Sequence, residues 1–152
     1  MRKYILAIFL LSLTIATGYT ILEVKKECVK MFPEARFYYV NEVVSSVICA
    51  EACGEGEVGM YAVANVIANR AKKWNMTPYQ VVTQKNQFYG YNNPNREELY
   101  NQCGHISDRL TEKIMELDDI TGGALYFRLA NEQKRSWHQV FTIKIGKHWF
   151  YK

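Results

Sequence analysis

The nine residues from Ile48 to Gly56 constrain this chain more than any other stretch. Ile48-Cys49-Ala50-Glu51-Ala52-Cys53-Gly54-Glu55-Gly56 reads as the end of an apolar helix followed by a glycine-bounded break. Val44, Val47 and Ile48 precede Glu51 by seven, four and three residues, so all four share one helical face. A carboxylate on such a face loses hydration unless it finds a partner. Gly54 fits the position just past a helix end, which puts Glu51 in the last turn. There the negative end of the helix dipole also disfavours its charge. Both effects raise a carboxyl pKa, which is what a general acid needs near neutral pH. The same spacing also suits a half-exposed helix-end glutamate or one half of a structural ion pair.

The chain is 152 residues long, one domain's worth. At 49% hydrophobic and 14% aromatic it can fill a core and keep rings for a surface, and its 11 tyrosines suit a groove that stacks sugars. Residues 1–18 have the form of a secretory signal: Arg2 and Lys3, an apolar run from Tyr4 to Ala16, and small residues at Ala16-Thr17-Gly18. The run is short for a span, which takes roughly 20 residues, and membrane association is expected only if it is retained as an anchor. Without it 17 basic residues face 15 acidic ones. That balance is too mild for a nucleic-acid partner, and compatible with a polyanionic wall. The expected location is secreted, periplasmic or cell-wall, and the expected state a monomer.

The four cysteines, Cys28, Cys49, Cys53 and Cys103, all follow the signal, and an even number in an exported chain points to disulfides. Cys49 and Cys53 are four apart on the expected helix, with Cβ atoms about 5–6 Å apart. A disulfide needs about 3.8 Å. Cys28 and Cys103 are therefore expected to take one helix cysteine each.

Residues 19–40 read as a lead-in, with any short helix ending before Pro33, and Asn41 as N-cap of the helix running to Ala52. Residues 57–73 form the clearest helix, with Ala62, Val63, Val66, Ile67 and Arg70 at spacings of three and four, and Asn69-Arg70 as a buried polar anchor. Thr77-Pro78 opens a short helix. Gln87 to Pro94 breaks regular structure with rings and amides, a composition that lines carbohydrate grooves or forms a turn with core-facing rings. A weak helix over 95–102 and a further one capped by Ser107 follow, then a Thr121-Gly122-Gly123 turn, a strand over 124–127, a polar loop over 130–136, and a hairpin over 140–151 turning at Gly146-Lys147. The chain is thus α+β, helical over roughly 38–118 with a small C-terminal antiparallel sheet.

These motifs resemble the cell-wall hydrolase family typified by the spore-cortex-lytic enzyme SleB. The likeness rests on Ala50-Glu51-Ala52-Cys53-Gly54-Glu55, on Gly59 with Tyr61 through Arg70, on Gln87-Phe88, on Asp119 with Thr121 through Phe127, and on Ile145-Gly146-Lys147-His148 with Phe150. They fall in the family's order and cover roughly residues 43–152. The resemblance implies a lysozyme-like catalytic domain over 41–152 that cleaves peptidoglycan glycan strands. It implies a lytic transglycosylase giving 1,6-anhydromuramic ends, with Glu51 as general acid and base, no cofactor and no metal. Glu55, Gln87, Phe88 and Tyr126 are the expected substrate-binding residues, with Glu55 structural or substrate-orienting and better solvated than Glu51. His148 matches the family tail and is expected to be structural. Cys53 stands where the family usually carries Arg. With no second domain in these residues, wall targeting is expected to fall to the catalytic domain.

Two other classes compete. A non-catalytic peptidoglycan-binding module could use the same fold. Cys49, Cys53, Cys103 and His105 could bind zinc, with Cys-x-x-x-Cys on a helix and Cys-x-His in a loop, although export oxidises thiols. A cysteine hydrolase is disfavoured on the same ground.

Overall fold

The computed structural model describes residues 33–130 and 140–152, with side chains from residue 38. The expected signal, residues 19–32 of the lead-in, Cys28 and nearly all of the polar loop lie outside the described residues. The chain forms two compact units, residues 1–40 and residues 41–152.

Helix α1 spans Pro33–Ala52. Pro33 opens this helix, because proline at the first helical position gives up an amide that has no partner there. Asn41 lies inside the helix and does not cap it. Val44, Val47 and Ile48 are buried, as their spacing requires. The α-helix ends at Ala52 and tightens into a 3-10 turn over Cys53–Glu55. The residue that needs glycine is Gly56, at φ +69° and ψ −169°, not Gly54. Gly56 reverses the chain into α2, Gly56–Trp74.

Helix α2 is the centre of this unit. Ala62, Val63, Ala64, Val66, Ile67 and Ala68 are all buried. Small side chains at 62, 64 and 68 let neighbours pack closely on several sides. The helix ends on Asn75, left-handed at φ +53°, whose amide bonds back to Ala71. Helix α3, Pro78–Val82, starts with a reciprocal capping box between Thr77 and Gln80. A 3-10 turn covers Tyr89–Asn92.

Helix α4 runs without a break over Arg96–Glu112. The two helices expected there are one, because Gly104 and Ser107 are buried within it. The Ser107 hydroxyl bonds the Gly104 carbonyl at 3.2 Å and the Ser45 hydroxyl at 2.6 Å. Ser107 thus ties α4 to α1 instead of capping. A 3-10 turn over Ile114–Glu116 follows.

The sheet has strands β1 (Tyr126–Leu129), β2 (Phe141–Ile145) and β3 (His148–Tyr151), ordered β1-β3-β2 and antiparallel throughout. The first strand starts two residues later than its sequence suggests, since Ala124 and Leu125 are buried in the approach to it. Gly146, at φ +57°, makes the tight turn between β2 and β3. Phe150 is fully buried with Ala62, Val66 and Ala124, and Phe127 and Ile145 pack on this cluster. Burying a ring this size contributes about 2–3 kcal/mol, so Phe150 is a main anchor of the sheet on α2.

Candidate active site

Glu51 sits half-buried in the last turn of α1. Its Oε1 accepts a hydrogen bond of 2.5 Å from the Gly90 backbone amide. Gly90 can approach so closely because it has no side chain. A Cβ there would lie 3.0 Å from the Ala50 Cβ and the Val47 carbonyl, and 3.1 Å from Oε1 itself. Burial raises the Glu51 pKa above the ordinary carboxylate range, and the Gly90 bond and the more distant Arg70 charge only partly offset it. Glu51 is therefore more readily protonated than a surface glutamate.

Arg70 is the charged neighbour, 4% exposed on α2. Its Nε donates to the Leu125 carbonyl at 2.5 Å and its Nη1 to Gln87 Oε1 at 3.4 Å. Its guanidinium lies 5.0 Å from the Phe88 ring centroid, 5.2 Å from Tyr126 and 5.3 Å from Trp74. Burial lowers its pKa to about 10, with Tyr126 and Glu51 acting in the other direction. Arg70 thus joins the Gln87-Phe88 loop to the start of β1. The sequence marks it as an anchor, and the three rings around it are visible only in three dimensions.

Asn69 completes the anchor. Its amide nitrogen donates to the Ala124 carbonyl at 3.1 Å and to Asp119 Oδ2 at 3.3 Å. Asp119 in turn accepts from the Thr121 amide at 2.8 Å and hydroxyl at 2.6 Å, and from the Gly123 amide. Asn65 fixes the same segment through the Asp118 carbonyl and the Ile120 amide. The Thr-Gly-Gly turn is thereby moulded onto α2, which aims Tyr126 at Arg70.

The remaining expected site residues are distributed unevenly. Gln87 is exposed and touches Arg70. Phe88 is 2% exposed, packed under Arg70 with Phe127 at 6.2 Å between ring centroids. A ring so enclosed cannot stack on a sugar, so Phe88 is a support and not a groove wall. The ring that the loop turns outward is Tyr89, 74% exposed. Tyr126 is half-buried beside Arg70, whereas Phe127 packs on the core.

The Glu55 side chain is 10% exposed, so both carboxylates are half-buried. Its Oε2 accepts from the Lys147 backbone amide at 2.8 Å, and the Lys147 ammonium lies 3.6 Å from Oε1. A Cβ on Gly146 would collide with the same carboxylate. Glu55 thus ties the turn after α1 to the β2–β3 turn. His148 is buried edge-on to Phe127, 5.2 Å between centroids.

Cys49, Cys53 and Cys103 are free thiols. The Cys103 and Cys53 thiols both donate toward the Leu99 carbonyl, at 3.2 and 4.0 Å. His105 is exposed and lies on α4, not in a loop, two residues from Cys103 and so on a different side of the helix. Among the described residues no group of three His, Cys, Asp or Glu is placed to hold a metal ion. An open cavity of about 410 Å³ is lined by Asn69, Lys72, Lys73, Gly123, Leu125 and Lys152. It contains no carboxylate and hence no acid.

The fold is that of a mainly helical, lysozyme-like α+β domain. It is similar to the solved catalytic domain of the germination-specific lytic transglycosylase SleB from Bacillus anthracis. The two share 25% identity at a TM-score of 0.62, over 74% of this chain and 93% of that one. The catalytic domain of the Bacillus cereus SleB protein matches with the same identity, TM-score and share of this chain, over 89% of its own. The chain matches no curated protein in a sequence comparison. Residues 54–151 match the cell wall hydrolase family, and the chain belongs to that family. This places it among enzymes that degrade peptidoglycan. The matched stretch contains Glu55, Gln87, Phe88 and Tyr126, and starts three residues after Glu51.

Proposed function

We propose that this protein is a lytic transglycosylase of cell-wall peptidoglycan, working outside the cytoplasm, with Glu51 as its general acid and base. The observation that carries this reading is the state of Glu51: half-buried, held by the Gly90 amide, with its pKa raised. One carboxylate oxygen is fixed by that bond and the other is left to carry the proton. Protonation of the glycosidic oxygen by Glu51 breaks its bond to C1 of the muramic acid ring. The C6 hydroxyl of the same sugar then bonds to C1, and its proton passes to the Glu51 carboxylate. The acid is regenerated, and a 1,6-anhydro end and a free 4-hydroxyl end are formed. Hydrolysis with inversion needs a second carboxylate to activate water. Glu55, the nearest such group in sequence, is engaged by the Lys147 amide and ammonium, which supports a one-carboxylate route.

Gln87 and the exposed Tyr89 ring closely precede Gly90 in sequence, and with Tyr126 they are the proposed sugar contacts. Glu55 keeps the structural half of its expected role. The similar catalytic domain of Bacillus anthracis SleB, a germination-specific lytic transglycosylase, supports the same reading. Mass spectrometry of muropeptides released from purified sacculi tests it. Anhydro ends that vanish in Glu51→Gln are expected. Reducing ends would make the enzyme a muramidase or glucosaminidase, and full activity of the variant would remove Glu51 from the mechanism. Binding to sacculi with no released product would leave a non-catalytic module.

A further inference from the structure

Three thiols gather where α1 meets α4. Cys49 is in the last turns of α1, Cys53 opens the 3-10 turn after it, and Cys103 lies in the middle of α4. The thiols of Cys53 and Cys103 both point at the Leu99 carbonyl, at 4.0 and 3.2 Å, so the two share one acceptor. Cys49 is turned to the Ser107 hydroxyl at 2.9 Å and is fully enclosed. Cys53 is half-buried and the most accessible of the three.

We propose that Cys53 and Cys103 are a disulfide pair that closes on meeting a thiol-oxidising disulfide, stapling the end of α1 that carries Glu51 to α4. Disulfides form through a thiolate that can reach its oxidant, and accessibility selects Cys53 for the first step. The Cys53 thiolate attacks the oxidant RS–SR, forming Cys53–S–S–R and releasing RS⁻. The Cys103 thiol then loses its proton and its sulfur attacks the Cys53 sulfur, releasing the second RS⁻. Two protein thiols are oxidised and one disulfide is reduced to two thiols. Cys53 lies just beyond the helical turn, where the backbone can adjust to disulfide geometry more easily than at Cys49 within the helix.

The staple bears on the site from both sides. Glu51 is two residues before Cys53. The loop that supplies the Gly90 amide is held to α4 by Arg96, whose Nη1 donates to the Tyr91 carbonyl at 2.8 Å and whose guanidinium stacks 5.5 Å from the Tyr91 ring. A bridge from Cys53 to Cys103 joins the end of α1 that carries Glu51 to the helix that holds the Gly90 loop. It does not depend on the catalytic reading of Glu51.

The test is peptide mapping of the full chain after incubation with glutathione disulfide, with free thiols alkylated before digestion. Cleavage after glutamate separates Cys49 from Cys53 at Glu51 and leaves Cys103 in a third peptide, so the partners are read directly from masses. The expected result is a Cys53–Cys103 linked peptide and a melting temperature raised by roughly 5–15 °C over the reduced chain, the rise being absent in Cys103→Ser. Alkylation of both Cys53 and Cys103 after oxidation, a glutathione adduct persisting on Cys53, or a bridge from Cys103 to Cys49 or Cys28 would overturn the assignment.

Discussion

The backbone amide of Gly90 donates to Glu51 Oε1 at 2.5 Å, joining residues 39 apart in the chain. The bond exists because Gly90 lies against α1 where a methyl group would crowd Ala50, Val47 and Glu51 together. Gly90→Ala is therefore expected to push the loop off the helix. Crowding of this kind costs about 1–3 kcal/mol. Activity should fall further than that figure alone implies, by about 10- to 100-fold in turnover, because a small displacement of a catalytic geometry is amplified in rate. Turnover on sacculi measured beside the melting temperature checks this; unchanged turnover in a folded variant would detach Gly90 from catalysis.

The raised pKa of Glu51 has a consequence for stability that does not require substrate. A group whose folded pKa is raised supports the fold below its unfolded pKa and loses that support as pH rises through the folded value. Ionised Glu51 is thus a burden at neutral pH. Glutamine keeps the oxygen that accepts from Gly90 and removes the charge. Glu51→Gln should be at least as stable as the parent at pH 7, with the difference shrinking as pH falls through the folded pKa and gone below the ordinary carboxylate value near 4.3. Melting curves across pH 3–8 give the comparison. A variant less stable at pH 7 than the parent would contradict the pKa direction.

Glu55 and Glu51 should separate cleanly in mutants. Glu55→Gln still offers an oxygen to the Lys147 amide, so the hairpin stays attached and glycan cleavage should remain within several-fold of the parent. Glu55→Ala loses that acceptor, and its effect should show as faster proteolysis or hydrogen exchange in β2 and β3. Loss of all activity in Glu55→Gln, with the fold intact, would instead make Glu55 part of the chemistry.

The helix face of Glu51 could be read directly, because helical periodicity is local and Val44, Val47 and Ile48 lie within two turns of it. The same locality made the α2 pattern and the Gly146-Lys147 hairpin readable. What escaped was set by contacts across the chain. Nothing near Gly90 says that its amide will meet a carboxylate 39 positions earlier, and Glu55 meets Lys147 across 92. Phe88 and Tyr89 are adjacent rings, and only packing decides that one is buried and the other exposed. Ser107 looked like a cap, yet its hydroxyl is used between helices.

Arg70 tests how much of the site is held by one buried cation. Lysine keeps the charge but has neither a planar face for Phe88, Tyr126 and Trp74 nor a fork of donors for Leu125 and Gln87. Arg70→Lys should destabilise the protein by about 3–5 kcal/mol, the range for a buried charge deprived of its partners, and should weaken activity through the displaced loop. Urea unfolding of the two proteins measures the first effect. A loss below about 0.5 kcal/mol would show the anchor to be redundant.

Asp119 should give the opposite pH signature to Glu51. Partial burial acts to raise its pKa, but the Thr121 hydroxyl and amide, the Gly123 amide and the Asn69 side chain outweigh this and hold it below the usual range. A depressed folded pKa contributes stability that is present above the unfolded value near 3.9 and is lost as pH falls through the folded one. Asp119→Asn keeps one acceptor and loses the charge. It should be less stable than the parent at pH 7 and converge with it in acid, whereas Glu51→Gln is at least equal at pH 7. Both series can be measured in the same buffers. If the Asp119 and Glu51 differences changed with pH in the same sense, one of the two environments would be wrongly described.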